Sequence, residues 1–311
     1  MTEKSITTVS TTSDDKQPRS RVIVAIPTVG RGPILSATVR HLATQTRLPD
    51  LVVVSGAEPR DFGNLPGAQL DFPLELVLGP RGTCPQRNLA LELAKPGDLM
   101  LFLDDDFLLA PDHLARLEEI FVANPDILIS TGAVLEDGIM GPGLTFEEGL
   151  MALENGLKAP AEDNIESIRN GYGCNMAVRI DTIKANGIRF DERLPLYGWF
   201  EDVDFSLRAA QSGRVVKCSA LRGVHLGTKT GRTSGKKLGY SQVANLVYIC
   251  RKGVLPAKTS ARNIFRNFAA NLARSVKPKS FVDHRGRLVG NFIAFGDWLR
   301  GRLDPERIKE F

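Results

Sequence analysis

The apolar positions of the chain fall into short unbroken runs, separated by stretches whose apolar residues return at helical spacing. VIVAI at 22–26 stops at Pro27, and LVVVS at 51–55, LELVLG at 74–79, LMLFL at 99–103 and ILIST at 127–131 repeat the form. Short runs rich in β-branched residues predict strands buried on both faces. Between them, Leu35, Val39 and Leu42 share one helical face after Pro33. QRNLALELAK at 86–95 reads as a helix stopped by Pro96-Gly97, and Pro111 opens another through Val122. Strands alternating with helices predict an α/β fold on an open, mainly parallel, twisted sheet flanked by helices. Such sheets bind ligands beyond the carboxyl ends of their strands. That rule puts Pro27-Thr28, Ser55-Gly56 and Asp104 to Asp106 on one rim.

The second half is less regular. Residues 136–170 read as a long polar excursion. CNMAVRI and RVVKCS read as strands, and 202–212 as a helix with acidic residues at its positive end. LGTKTGRTSGKKLG at 226–239 reads as a mobile loop, followed by helical patterns near 240–252, 259–275 and 288–302. The expected division is a flexible tail over 1–20, an α/β unit over 21–228, and a mobile loop with a basic helical region over 229–311.

Composition adds exclusions. The four cysteines form no CxxC pair, which argues against a zinc site or a disulfide scaffold. No apolar run approaches the ~20 residues that span a bilayer, and the N-terminus has no apolar signal segment. The expected location is cytoplasmic. Charge changes the picture more. From Lys229 to Phe311 there are 18 Lys and Arg against 5 Asp and Glu, in a chain whose net charge is only +4. A basic C-terminal region on an acidic body points to a polyanionic partner or to a solvated basic surface. In SARNIFRNFAANLARSV, apolar residues recur at helical spacing beside Arg262, Arg266 and Arg274. Such a helix lies on an anionic membrane or packs on the α/β unit, and both readings stay open. No nucleic-acid motif is present, so nucleic acid is not an expected partner.

The strongest chemical signal is LMLFLDDD. Three adjacent carboxylates at the end of a buried strand repel one another, and a cation offsets that repulsion. Alternate side chains of an extended chain face the same way, which pairs Asp104 with Asp106. Hard divalent ions such as Mg²⁺ and Mn²⁺ bind through one or two carboxylates plus substrate phosphates.

The ordered segments RVIVAIPTVGR, GPRGTCPQRNLALELAKPGDLMLFLDDD, GCNMAVRI and GWFEDVDFSLRAAQSG resemble the family-2 glycosyltransferases of the GT-A fold, over about residues 21–226. The resemblance implies sugar transfer from a nucleotide-diphosphate donor to a hydroxyl of a saccharide or lipid-linked saccharide, with inversion. It implies that Asp106 is a metal ligand, with Asp104 and Asp105 against the nucleoside. Pro27 and Thr28 then contact base and ribose, and Arg81 and Arg87 line the nucleotide pocket. Ser55 stands where the family often has a carboxylate that recognises the base, which leaves uridine, thymidine and guanosine open. Of the pair Glu201-Asp202, Asp202 is the expected general base, with Trp199 stacking on an acceptor sugar and Asn175 on the acceptor side. His225, after a strand, is a candidate metal ligand. Lys229 and Arg232 are candidates to neutralise the departing diphosphate. The plainer alternatives are a surface helix residue for Arg87, helix-start acids for Glu201 and Asp202, a structural His225, and a solvated linker for the loop. A sugar-nucleotide pyrophosphorylase and a non-catalytic sugar-binding protein are the rival functions. PTVGRGP is a poor match to the glycine-rich signature of the former.

Overall fold

The computed structural model describes residues 19–277 and 279–311. The tail expected over 1–20 lies, up to residue 18, outside them. In chain order the elements are β1 (Val22–Pro27), α1 (Gly32–His41), β2 (Leu51–Gly56), β3 (Leu74–Leu78), α2 (Thr83–Leu93), β4 (Leu99–Leu103), β5 (Phe107–Leu109) and α3 (His113–Ala123). Then come β6 (Ile127–Asp137), α4 (Phe146–Leu157), β7 (Ile165–Ser167), β8 (Asn175–Arg179), α5 (Ile180–Ala185), α6 (Glu201–Ala209) and β9 (Arg214–His225). The long helices α7 (Gly235–Arg251), α8 (Ala257–Val276) and α9 (His284–Leu299) close the fold.

One sheet runs β3-β2-β1-β4-β8-β6-β9-β5, with β7 paired to β9. The mainly parallel sheet describes its first half. β3, β2, β1 and β4 are parallel, β8 runs against both β4 and β6, and β5 and β7 run against β9. Pairings between distant segments set these directions: β5 leaves the acidic turn to pair with β9 rather than with β4, and β8 enters antiparallel between β4 and β6. Within β1 the alternation is plain: Ile23 and Ala25 enter one core, Val22, Val24 and Ile26 the other.

The excursion at 136–170 holds α4, capped by a side-chain pair. Glu148 N–H donates to Thr145 Oγ1 (3.1 Å) and Thr145 N–H to Glu148 Oε2 (2.8 Å). The T-x-x-E spacing is legible in TFEE, and the polar setting obscured it. β6 runs to Asp137 rather than stopping at Thr131, since Gly132 lies inside the strand. A Cβ there would stand 2.1 Å from the Leu221 carbonyl oxygen.

The C-terminal helices share the core of the sheet. Tyr240, Val243 and Ile249 of α7, Ile264 of α8 and Ala294 of α9 belong to the same buried cluster as Ile23 and Phe102. α7 and α9 cross on two glycines: a Cβ at Gly239 would lie 2.0 Å from the Arg287 carbonyl oxygen, and one at Gly290 2.0 Å from that of Lys236. A buried polar layer fixes their register. Asn271 Nδ2 donates to Gln242 Oε1 (2.8 Å) and Asn291 Oδ1 (2.9 Å), and Asn291 Nδ2 to the Gly239 carbonyl (2.7 Å).

Candidate active site

β4 ends at Leu103 and the chain turns through Asp104, Asp105 and Asp106 before β5. Strand register builds the site. Phe107 of β5 and Asp137 of β6 both stand opposite His225, the last residue of β9. Asp106, one residue before Phe107, is thereby brought beside the imidazole. His225 Nε2 lies 3.4 Å from Asp106 Oδ1 and 3.8 Å from Asp104 Oδ2. One ligand atom from each of Asp104, Asp106 and His225 falls within 4.8 Å of the others. Asp104 and Asp106 thus lie together, brought there by a turn that Phe107 N–H closes on the Asp104 carbonyl (3.2 Å) rather than by extended alternation, while Asp105 has separate partners.

These residues fit a divalent cation. Asp106 Oδ1 is buried and, beyond the 3.4 Å approach of His225 Nε2, makes no hydrogen bond, which leaves it free to ligate. His225 Nδ1 is 2.8 Å from Asp137 Oδ1. A carboxylate there holds the proton on Nδ1 and leaves Nε2 to ligate. The same demand for positive charge shows in the imidazole: burial opposes charge on His225, yet Asp106 and Asp137 raise its pKa to about 10, so the imidazolium carries that charge and a cation ligated through Nε2 would take the place of its proton. Burial likewise opposes ionisation of Asp106, but His225, Arg31 and the Thr228 N–H hold it well below the usual carboxylate range. The cluster demands positive charge.

Asp105 has other partners. Thr28 Oγ1 donates to it (2.7 Å), as does Arg31 Nη1 (2.8 Å), while burial lifts its pKa to about 6 against the pull of Arg31. Arg31 also donates to the carbonyls of Thr230 (2.8 Å) and Thr228 (3.1 Å), and Thr228 N–H donates to Asp106 Oδ2 (2.6 Å). The segment after β9 is therefore tied to the acidic turn. Lys229 Nζ donates to the carbonyls of Gly138 (3.2 Å) and Ile139 (3.1 Å). Its pKa falls to about 8, through burial and then repulsion by Arg232 and Arg287. Arg232 donates to the carbonyls of Thr228 (2.8 Å) and Gly227 (3.0 Å).

A second acidic group lies across the rim. Arg87 is buried, and its Nη1 donates to Glu201 Oε1 (2.6 Å), its Nη2 to the Gly173 carbonyl (2.8 Å). Its guanidinium also stands over the rings of Phe190 (5.2 Å) and Phe102 (5.8 Å), and reaches Asp104 at 3.5 Å. Arg87 is thus no surface residue; it joins the two carboxylate groups. Glu201 is buried and occupied by this pair, whereas Asp202 is half-buried. Asp202 Oδ2 accepts from Gly173 N–H (3.1 Å) and Oδ1 from Val203 N–H (2.8 Å). Burial still raises Asp202 above its ordinary value, with Arg87 and these N–H groups opposing. Burial and adjacent Asp202 likewise push Glu201 up against Arg87. Phe200 enters α6 in the left-handed region at φ +73°, and Leu196 has φ +60°. Such backbone is costly for non-glycine residues and tends to mark functional turns. Between them Trp199 is half-buried, its carbonyl accepting from Asn245 Nδ2 (2.9 Å).

Among the other expected residues, Pro27 and Thr28 lie at the end of β1, where Gln86 Nε2 donates to the Thr28 carbonyl (2.8 Å). Ser55 is buried, pairs with Pro27 in the ladder, and has an unpartnered hydroxyl. Arg81 is exposed. Asn175 is buried on β8, with Oδ1 accepting from Thr131 Oγ1 (2.6 Å), and so packs beneath the rim. Arg31, Asp137 and Arg287 were not found from sequence. Arg31 stood within the quoted RVIVAIPTVGR. Asp137 was hidden by the early end assigned to β6, and Arg287 had no signal beyond the charge of its region.

No family model matches the chain. A glucosyl-dolichyl phosphate glucuronosyltransferase of Haloferax volcanii is 28% identical over 168 residues, 51% of this chain and 52% of that protein. The succinoglycan biosynthesis protein ExoM of Rhizobium meliloti is 28% identical over 219 residues, 66% of each. The matches thus span about half to two thirds of these relatives. Among solved structures, a mannosyltransferase from Pyrobaculum calidifontis, in complex with GDP-Man and Mn²⁺, aligns with TM-score 0.54 at 18% identity, covering 94% of this chain and 86% of that one. S. aureus TarS 1-349 with UDP-GlcNAc aligns with TM-score 0.56 at 16% identity, covering 93% and 82%. The chain has the GT-A glycosyltransferase fold. In this GT-A chain the DDD turn, His225 and Glu201-Asp202 occupy one rim of the sheet, and α7 to α9 form its C-terminal region.

Proposed function

We propose that the protein is a glycosyltransferase that moves a sugar from a nucleoside-diphosphate donor to a hydroxyl of a saccharide or lipid-linked saccharide. The observation that carries this reading is the cluster of Asp104, Asp106 and His225 at the sheet rim, with a buried Asp106 oxygen that makes no hydrogen bond. These three would hold a divalent ion, Mn²⁺ or Mg²⁺, which would supply the Lewis-acid charge that a departing diphosphate requires. The chain's own part is to bind and orient. Pro27, Thr28 and Ser55 line the end of β1 and β2, where the base and ribose would rest. Lys229 and Arg232 stand on the segment tied to the acidic turn and offer cationic charge to the leaving group. Arg31 holds that segment in place.

Asp202 is the general base. It is the more exposed of its acidic pair, and Arg87 occupies Glu201. Its raised pKa gives it more basicity than an ordinary aspartate. It takes the proton of the acceptor hydroxyl as that oxygen attacks the anomeric carbon from the side opposite the diphosphate, which yields inversion. Trp199 presents a ring for the acceptor sugar.

A thermal-shift screen of nucleotide sugars, with and without Mn²⁺, tests this. Binding to the folded state raises the melting temperature by mass action. One donor class is expected to stabilise the wild type in the presence of Mn²⁺ and to lose that effect in Asp106→Asn. If no nucleotide sugar shifts the wild type, or Asp106→Asn responds as fully as the wild type, the reading fails.

A further inference from the structure

α8 and α9 each have two faces. One is buried, through Ile264 and Asn271 on α8 and Gly290, Asn291 and Ala294 on α9. The other carries large apolar side chains into solvent: Phe265 is 71% exposed, Val276 76%, Phe292 57% and Leu299 90%. These are not scattered. Phe265, Leu272 and Val276 stand at i, i+7 and i+11, one stripe of α8. Phe268 joins that stripe to α9, its ring meeting Phe292 edge-on at 5.6 Å and Phe295 at 5.5 Å. Among the described residues no element covers this face. Contiguous exposed apolar surface of this kind marks an interaction site.

Charge identifies the occupant. α8 contains no acidic residue, and Arg262 and Arg266 on it are exposed. Arg285 and Arg300 are exposed beside the α9 stripe. Of the two acids on or next to α9, Asp297 is buried against Arg302 (2.7 Å) and Arg307 (2.9 Å), and Asp283 caps the helix through Gly286 N–H (2.7 Å). An apolar face ringed by cations suits an anionic bilayer interface, where aromatic and aliphatic side chains enter the headgroup region and arginines meet phosphates. A second copy of the chain is disfavoured, because self-pairing would set these arginines against their equivalents. No helix of the described residues is long and apolar enough to cross a membrane.

The surface also leads to the rim. Phe281, between α8 and α9, is flanked by Lys279 (5.4 Å from its ring) and by Lys229 (5.6 Å) of the segment after His225. We propose that the outer face of α8 and α9 docks on an anionic lipid bilayer and holds the rim at the membrane, where a lipid-linked acceptor is presented. The second half rests on the transferase reading, and the first does not.

Flotation of the full chain with vesicles tests the docking. One set is pure phosphatidylcholine, the other equal parts phosphatidylcholine and phosphatidylglycerol, each at low and high salt. Wild type is expected to float with the anionic vesicles at low salt and to lose most retention at high salt. The double variant Phe265→Ser, Leu299→Ser is expected to lose about tenfold or more, from the apolar area it no longer inserts. The two side chains are 71% and 90% exposed, so its melting temperature should match the wild type. No retention of wild type, equal retention of the variant, or retention indifferent to vesicle charge overturns the proposal. So does a dimer in sedimentation that the double variant abolishes, since that names a second copy as the occupant. A chain that floats but binds no nucleotide sugar leaves this surface standing and defeats the transferase reading alone.

Discussion

At the scale of single residues, the chemistry rests on who holds which proton. Asp202 is half-buried, with a pKa raised mainly by burial. As the proposed base it would act ionised, so turnover should fall as the pH drops through that raised value. The acid limb of kcat/KM should lie above the ordinary aspartate pKa of about 4. Asp202→Asn should lower kcat by about 100- to 10,000-fold with little change in the KM for donor. A limb at or below the ordinary value, or an active Asp202→Asn, assigns the base elsewhere. In the proposed metal site Asp137 would act through His225, whose Nδ1 lies 2.8 Å from its carboxylate. Asp137→Ala should therefore weaken Mn²⁺ affinity about 10- to 100-fold, read from a Mn²⁺ titration of donor binding. Unchanged affinity would make the pair merely structural.

Elements matter through where they end and how closely they approach. β5, β6 and β9 each contribute one position to the corner that could hold a metal, and a slip of any ladder would turn His225 away. α6 brings two carboxylates at its start, while Asp204, further along, is buried against Arg208 (2.8 Å) and Lys252 (2.8 Å) and ties α6 to α7. The α7 and α9 crossing depends on glycine. Gly290→Ala places a methyl 2.0 Å from a backbone oxygen. It should cost about 1–3 kcal/mol, measured as a lower midpoint in urea unfolding. No change in the midpoint would mean that the helices can separate freely.

For the molecule as a whole, the question is whether the C-terminal region is a unit of its own. Its helices place Tyr240, Val243, Ile264 and Ala294 in the core that lies on one face of the sheet. Shared cores unfold together. Heating should give one cooperative transition, followed by both far-UV and near-UV signals. A chain ending at Pro256 should expose that core and aggregate or melt without cooperativity. Two separate transitions in the full chain would instead restore the division at residue 229.

Sequence by itself determined the strands of the parallel half, the helices between them and the acidic turn after β4. These are local: period, propensity and strand ends are written in neighbouring residues. It also paired Asp104 with Asp106, although a turn closed by Phe107 N–H on the Asp104 carbonyl, not strand alternation, brings them together. The tertiary structure decided the rest. The direction of β8 and β5, the length of β6 through Gly132, and the meeting of Asp137 with His225 depend on pairings between distant segments. The burial of Arg87 between Glu201 and Asp104, and of Asn175 beneath the rim, follows from the same cause. The basic helices show the limit most clearly. Their sequence allowed packing or membrane contact as alternatives, and only the fold shows one face taken up by the core while the other remains open.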